Sequence, residues 1–480
     1  MKVDTITIKQ HDEAYIKLEC DPGIMYEIAD VFTFDVPGAK FMQSYKTGRW
    51  DGKIRLINPL IGLLYKGLTY KVEEFCAARN YELIHEETNN DDSVSVFEVK
   101  EFISTLNLPF EVRDYQLNAI VHALRKRRSL LLSPTASGKS LIIYAILRWY
   151  NRKSLVVVPT VGLVHQMAGD FISYGYEGEP HKIMADRDKD SDSQIFISTW
   201  QSLIKMPKSW FQQFDVVVGD EAHGFKAKSL ITIMTNLNQC KYRFGTTGTL
   251  DGTQVNALVL EGLFGKTLQV TTTAKLMSDK HVADLNIKLL LLKHSNETRA
   301  LAKNMDYQTE IDYIVTSQKR NKFIRNLALS LEGNTLVMFQ FVEKHGKVLY
   351  DMIREAAKDR KVFFISGDVK ADEREAIRHA IENEKNALLV ASTGTTSTGI
   401  NIPSMQNIIF TSPSKARIKT LQAIGRILRL SNKKDLATVY DIADDMSWKD
   451  KKNFTLLHFM ERVRIYASEK FQYKNYSIDL

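Results

Sequence analysis

Residues Leu130–Ile142 read LLLSPTASGKSLI. A leucine run ends in small residues that close on Gly138-Lys139-Ser140, and a second apolar stretch of helical character follows. That succession is strand, phosphate-binding loop and helix. Backbone N–H groups in the loop built from Pro134, Thr135, Ala136, Ser137 and Gly138, with the start of the helix, present partial positive charge to a triphosphate. Lys139 is set to reach the outer phosphates and the Ser140 hydroxyl to ligate Mg²⁺. The usual pattern GxxxxGK[ST] opens with Gly, whereas Ser133 stands there, and Ala136 sits inside the loop. Both are small enough for backbone to approach phosphate.

On either side the same grammar repeats. SLLLSP, KSLVVVPT, QIFISTW, DVVVGDEAH and YRFGTTGT are near-continuous apolar strands separated by helical lengths, which predicts a parallel sheet covered on both faces. TLVMFQF, KVFFISG, ALLVAS, NIIFTS and TVYDIA form a second series. The fold class is therefore α/β, with two doubly wound parallel-sheet domains in tandem over 106–295 and 296–446. Residues 1–105 differ in style and predict a small α+β domain. There TITIKQ and AYIKLEC alternate like strands, DPGIMYEIADVF opens a helix at Asp21-Pro22, and KFMQSYKTGRWDGKIRLIN reads as a hairpin turning near Trp50. Lys40, Lys46, Arg49, Lys53 and Arg55, interleaved with Phe41, Tyr45 and Trp50, suit a nucleic-acid backbone. Residues 447–480, with Leu456, Phe459, Met460, Val463 and Tyr466 at helical spacing, predict a C-terminal helical segment.

Asp220 ends the apolar strand DVVVG. A carboxylate at that end of a strand, beside a phosphate loop, is where Mg²⁺ needs a ligand, and Glu221 is then placed to orient and deprotonate the attacking water. Upstream, the Gln116 amide suits the N6 and N7 edge of adenine. Downstream, Arg426 and Arg429 in QAIGRILR are three positions apart on one predicted helical face, and a hydrolytic site needs such charge on the transferring phosphoryl group. The simplest geometry puts ATP where the two series meet, so that binding and hydrolysis drive a stroke.

Charged residues are 25% and hydrophobic ones 44% of the 480, as in ordinary globular proteins, and 65 basic against 57 acidic side chains give a net charge of +8. A modest positive balance fits a polyanion partner. Cys20, Cys76 and Cys240 lie far apart without metal-ligand spacing, so no zinc site, iron–sulfur cluster or disulfide framework is implied. The N-terminus lacks the apolar core of a signal peptide and no apolar run is long enough to span a bilayer. A cytoplasmic location and no membrane partner are expected.

The ordered series RDYQ, SPTASGKS, VVVPTVGLVHQ, FISTWQSL, GDEAH, GTTGT, VMFQF, STGTTSTGINIP and QAIGRILR resembles the motif set of superfamily two helicases of the DEAH type, over residues 107 to 445. The WDG of the basic segment and the tail HFMERVRIYASEKF are similar to phage recombination helicases that remodel branched DNA. The resemblance implies RecA-like motor domains, ATP and Mg²⁺ as cofactors, and a DNA helicase or translocase acting on forks, Holliday junctions or R-loops in recombination, repair and replication. It implies single-stranded, forked and four-way junction DNA as partners, with RNA–DNA hybrid a further one, and a monomer in the cytoplasm, that of the host cell if the protein is viral. Residue by residue, Gln116 would read adenine, Gly138, Lys139 and Ser140 would hold phosphates and Mg²⁺, and Asp220 and Glu221 would be metal ligand and base. His223, Thr247 and Thr249 would couple the ATP site to the track. Pro159, Thr160, Gln166, Thr199, Thr393 and Thr395 would touch sugar and phosphate, and Gly399 and Asn401 would approach nucleotide near Arg426 and Arg429. Asn407 to Leu421 leaves little room for the strand-splitting hairpin that some relatives insert.

Three other readings stay open on residues alone. A P-loop kinase leaves the second series and its arginines without a role. An ATP-gated strand-annealing or structure-binding protein would use hydrolysis only to reset binding. An RNA helicase would use the same sugar–phosphate contacts.

Overall fold

The computed structural model describes residues 4–36, 38–86, 94–184, 190–398, 402–412, 417–430 and 434–480. They form two compact units, one of residues 1–133 and 138–270, the other of 134–137 and 271–480.

In the first unit a seven-stranded sheet runs His181–Ile183, Ile195–Thr199, Ser154–Val158, Val216–Asp220, Tyr242–Thr247, Arg128–Leu132 and Thr267–Gln269 from edge to edge. Every pairing in it is parallel. Because side chains alternate across a strand, Leu130, Leu155, Val157 and Val217 enter one apolar cluster while Leu131, Val156, Val158 and Val218 enter another on the opposite face. The second cluster is covered by the helices Asp114–Lys126, Lys139–Tyr150 and Val161–Ser173.

The first cluster reaches beyond this seven-stranded domain. It is continuous with Ile6, Ile16, Leu18, Ile28, Leu64 and Phe75 of the N-terminal domain, whose sheet runs Ile57–Asn58, Leu63–Tyr65, Tyr15–Glu19, Thr5–Gln10 and Glu82–His85. The boundary expected at 105 shifts as well. Helix Val96–Thr105 sends Val99 into the core of the seven-stranded domain with Leu117 and Ile120, and Arg125 Nε donates to Val94 O at 2.7 Å, so this helix belongs to that domain. The polar boundary loop read at 87–93 lies outside the described residues.

Polar groups reinforce the junction. Arg128 Nη2 donates to both the backbone O and Oε2 of Glu13 at 2.8 Å, and Lys66 Nζ donates to Glu13 Oε2 at 2.9 Å. Tyr70 OH donates to Glu261, and Gly67 lies so close to helix Gln254–Phe264 that an added Cβ would stand 2.0 Å from Glu261 O. Burial alone would raise the Glu13 carboxyl, but Arg128 and Lys66 outweigh it and hold it below the usual carboxylate range. Desolvation pulls Lys66 and Arg128 below their own usual ranges, so the net gain is read from the carboxylate side. The Glu13 contribution is complete above the ordinary carboxylate pKa and is lost as pH falls through the depressed one. Glu13→Ala leaves a buried guanidinium and an ammonium without their anion and is expected to cost about 3 kcal/mol. Chemical denaturation checks this, and an unchanged midpoint would show that the junction rests on its apolar contacts alone. Deleting residues 1–105 would strip the same core bare, so the expected outcome there is loss of the folded first unit.

The segment read as a hairpin at Trp50 is built differently. Thr33–Asp35 pairs antiparallel with Lys53–Arg55, and the chain between them winds through a 3₁₀ turn at Ala39–Phe41 and a short helix at Gln43–Lys46. Gly52, at φ +80°, has Ala39 Cβ and the Tyr45 ring 3.0 Å from where its own Cβ would stand, which folds the excursion back on itself.

The second unit holds another all-parallel sheet, in the order Val362–Ile365, Leu388–Ser392, Thr335–Phe339, Asn407–Phe410, Leu436–Asp445, Asp284–Lys293 and Tyr473–Asp479. This corrects the boundary expected at 295. Asp284–Lys293 pairs with Leu436–Asp445 along its whole length and is a strand of the second domain. The C-terminal segment is likewise more than helical. Helix Phe454–Ser468 forms as expected, and Tyr473–Asp479 then returns as a parallel edge strand. The helix is fixed by Arg462, which donates to Asp441 through Nε and Nη2, by Tyr466 OH on Asp441 Oδ2 at 2.7 Å, and by Glu310, which accepts from Phe454 N and Thr455 N at its start.

Candidate nucleotide site and nucleic-acid contacts

The phosphate-binding loop leaves strand Arg128–Leu132 and enters helix Lys139–Tyr150 through Gly138, which is left-handed at φ 81°. Gly138 has a second constraint: a Cβ there would stand 2.3 Å from Gln116 Nε2. The structure thus brings the Gln116 side chain against the loop, with its Oε1 accepting from Arg113 N at 2.9 Å. Ala136 also takes the left-handed region, at φ 69°, which costs a residue with a Cβ about 1 kcal/mol. Ala136→Gly is therefore expected to raise stability by about 1 kcal/mol, as read by equilibrium unfolding. No change would mean that the loop relaxes away from this conformation.

Lys139 Nζ lies 3.4 Å from Ser133 O and 3.9 Å from Glu221 Oε1. Ser140 Oγ shares a hydrogen bond of 2.9 Å with Tyr174 OH. Tyr174 caps the end of helix Val161–Ser173, and nothing in the loop's sequence pointed to it.

Asp220 and Glu221 arrive by sheet order. Strand Tyr242–Thr247 lies between Val216–Asp220 and Arg128–Leu132, with Thr246 in register with Asp220 and Thr247 with Leu132. Thr246 Oγ1 donates to Asp220 Oδ1 at 2.7 Å. Burial first, and then the neighbouring Glu221, push the Asp220 carboxyl above its usual range, while Lys139 and Thr246 pull it back. Glu221 is left-handed at φ 50°, a strained conformation of the kind that clusters at functional sites. Beside it, His223 Nδ1 is 3.3 Å from Glu221 Oε2 and 3.0 Å from Thr247 Oγ1, and Thr247 Oγ1 donates to Thr249 O at 3.2 Å. With the threonine proton already committed, the arrangement suits a histidine protonated on Nδ1. Glu221, His223, Thr247 and Thr249 form one continuous polar chain leading away from Lys139.

A divalent cation fits this donor set. Asp220 is a buried carboxylate short of positive charge, and with the Ser140 hydroxyl it offers oxygen ligands only, as Mg²⁺ prefers. Among the described residues no group of three or more His, Cys, Asp or Glu side chains could hold a metal, so an ion held here would take most of its ligands from phosphate and water.

The residues expected on a nucleic-acid track sit at carboxyl ends of strands. Pro159 and Thr160 follow Ser154–Val158, and Thr199 closes the neighbouring Ile195–Thr199. Thr160 also caps helix Val161–Ser173 by accepting from Leu163 N, and Gln166 is exposed on that helix. In the second unit Thr393 Oγ1 donates to Phe339 O at 2.8 Å, and Thr395 is buried with its hydroxyl on Ser392, so it holds the turn. Gly399 and Asn401 lie outside the described residues. Arg426 lies on helix Arg417–Ile427, but Arg429 falls beyond that helix's end, which corrects the expectation of one helical face. Lys434, which no motif singled out, is buried there and donates to Ile427 O at 2.5 Å, Pro403 O at 2.7 Å and Met405 O at 2.9 Å, pinning the end of the arginine helix. In the N-terminal domain Lys46, Arg49 and Lys53 are exposed, whereas Trp50 is half-buried with Nε1 donating to Lys53 O at 2.8 Å. No helix among the described residues is long and apolar enough to cross a membrane.

Comparison with known proteins covers the whole chain. The family described as DNA helicase UvsW, N-terminal, matches residues 5–86, Type III restriction enzyme, res subunit, matches 109–252, and Helicase conserved C-terminal domain matches 318–431. The ATP-dependent DNA helicase uvsW of Enterobacteria phage T4 is 34% identical across 99% of this chain and 100% of its own. The DNA 3'-5' translocase XPB2 of Sulfurisphaera tokodaii is 23% identical across 78% of this chain and 89% of its own. The crystal structure of T4 UvsW superposes with a TM-score of 0.51 at 31% identity, covering 99% of both chains. The Type ISP restriction-modification enzyme LlaBIII bound to DNA gives 0.57 at 16% identity, over 85% of this chain and 34% of that one, a likeness of fold.

Proposed function

The chain belongs to the UvsW family of superfamily two DNA helicases, and from that premise we propose that it couples ATP hydrolysis to the unwinding and branch migration of branched DNA. It is an ATP-hydrolysing DNA helicase. The observation that carries the coupling is the polar chain from Glu221 through His223 and Thr247 to Thr249, which ties the hydrolytic carboxylate to a neighbouring strand end.

In this reading the loop 133–138 and Lys139 hold the phosphates, the Gln116 amide reads adenine, and Glu221 takes the proton of the attacking water. Ser140 and Asp220 would hold Mg²⁺, which when bound supplies charge neutralisation at the phosphates. Tyr174 holds the Ser140 hydroxyl in position. Arg426 and Arg429 supply positive charge to the phosphoryl group as it transfers. A change in the number of negative charges near Glu221 is felt by His223, and through Thr247 by the backbone at Thr249. Pro159, Thr160, Gln166, Thr199 and Thr393 are read as sugar–phosphate contacts, which carry no sequence information. Thr395 serves that surface by holding its turn.

Forks, four-way junctions and RNA–DNA hybrids are the proposed substrates, in recombination, repair and replication within the host cytoplasm, with the protein acting as a monomer. What supports branched DNA is the basic segment 38–55, carried on an N-terminal domain that is built into the core of the first unit, so that whatever the segment grips is held by the motor itself. The test is the rate of ATP hydrolysis with single strands, duplexes, forks and four-way junctions as stimulants. Junctions and forks are expected to stimulate most. Equal stimulation by single-stranded RNA would favour an RNA helicase, and no dependence on nucleic acid would remove the motor reading.

A further inference from the structure

The excursion between the paired strands Thr33–Asp35 and Lys53–Arg55 carries an exposed phenyl ring: Phe41 is 84% exposed, and next to it Met42 is 46% exposed. Apolar side chains left in water forgo the main driving force of folding, so two adjacent ones on a well-built element call for a role. This element is well built. Val36 N donates to Gly52 O at 2.8 Å and closes its neck. Met42 N donates to Ala39 O at 2.9 Å, Lys46 N to Met42 O at 3.0 Å, and Trp50 Nε1 to Lys53 O at 2.8 Å. Tyr45 and Ala39 pack on Gly52. Phe41 therefore projects from a braced knob, and little ordering is required for it to meet a partner.

Charge identifies the partner's class. Residues 38–55 hold five basic side chains, Lys40, Lys46, Arg49, Lys53 and Arg55, against one acidic, Asp51. Asp51 is paired with Arg55, at 2.5 Å between Oδ2 and Nη2, so the other four cations are set against no acidic side chain from this segment. All four are exposed. A polyanion with apolar faces matches a tip of this composition, and DNA offers such a face only where stacking is interrupted. Phe and Met carry no hydrogen-bonding group able to read a base edge, so recognition would be of the open stack and independent of sequence.

We infer that Phe41 and Met42 form an apolar tip that stacks on the base-pair face exposed where a duplex ends at a branch, while Lys40, Lys46, Arg49 and Lys53 hold the flanking phosphates. The inference rests on the DNA-helicase reading above and adds to it the residues that distinguish a branch from a continuous duplex. It also moves the aromatic contact from Trp50, whose indole N–H is engaged within the knob, to Phe41.

The test compares wild type, Phe41→Ala and Phe41→Trp, all full-length, for binding to a synthetic four-way junction and to an unbranched duplex of the same length, with every duplex end in both closed by a hairpin loop so that the branch alone exposes a base-pair face. Phe41→Ala is expected to weaken junction binding about tenfold. Duplex binding and the melting temperature should stay unchanged. The salt dependence of junction binding should also stay as in wild type, because no cation has been removed. Phe41→Trp should restore junction affinity. Unchanged junction affinity in Phe41→Ala, or equal losses on junction and duplex, would overturn the stacking role, the first result leaving the ring for a protein partner. The helicase reading fails separately: it falls if wild-type ATP hydrolysis responds to no DNA, whereas normal stimulation with unaltered Phe41→Ala binding removes only this inference.

Discussion

Lys139→Ala and Glu221→Gln are each expected to abolish ATP turnover, by about a thousandfold or more, while leaving the fold intact. Both side chains line the candidate site and remain partly open, at 14% and 21% exposure, so neither substitution opens a hole in the core. They fail differently. Glu221→Gln keeps the volume and the loop but removes the proposed base, so ATP should still bind. Lys139→Ala removes the cation proposed to reach the phosphates and also relieves the Asp220 carboxyl of one of the charges holding it down. Nucleotide affinity should fall with it. Phosphate release, fluorescent-nucleotide binding and a melting curve separate the two, and turnover within tenfold of wild type in either folded variant would displace the site from these residues.

The second large effect is Arg429→Ala, with Arg426→Ala beside it. If these guanidiniums meet the phosphoryl group only in the transition state, the variants should bind ATP normally and lose about a thousandfold in turnover, as arginine-finger removal does. Arg426 stands on a helix whose end is tied down by Lys434, so it is held in a defined place. Single-turnover hydrolysis alongside nucleotide titration checks the point. A loss of less than about tenfold would leave the arginines to some other task.

The strand ends that bring the loop 133–140 beside Asp220 and Glu221 were legible in the sequence because the pattern that marks them is local. The loop 133–140 and the Asp220-Glu221 pair each sit within a few residues of a strand end, and parallel pairing brings those ends together. What the sequence withheld was tertiary. LNIKLLLLK, the apolar heart of Asp284–Lys293, has no mark to say which sheet it joins, and only its ten-residue register with Leu436–Asp445 assigns it to the second. Tyr473–Asp479 is mostly exposed at a sheet edge, so it shows none of the apolar run by which buried strands are recognised. Helix Val96–Thr105 was placed with the wrong domain because a short amphipathic helix says nothing of its partner. Tyr174 and Lys434 carry no motif at all, and Thr246 stands inside GTTGT without a role read from it; all three became visible only through the atoms they touch. The reading of residues 40–58 as a hairpin failed for a different reason: alternating basic and aromatic residues fit a strand pattern as well as the turns and short helix that Gly38, Gly48 and Gly52 permit.

The most direct measurement of the central claim is strand release from a forked DNA duplex, followed in time with ATP, with a non-hydrolysable analogue, and with Glu221→Gln in place of wild type. Hydrolysis-driven movement predicts release by wild type with ATP alone, and binding without release in the other two cases. Equal release with the analogue, or by Glu221→Gln, would contradict it, because strand separation would then follow from binding and not from turnover.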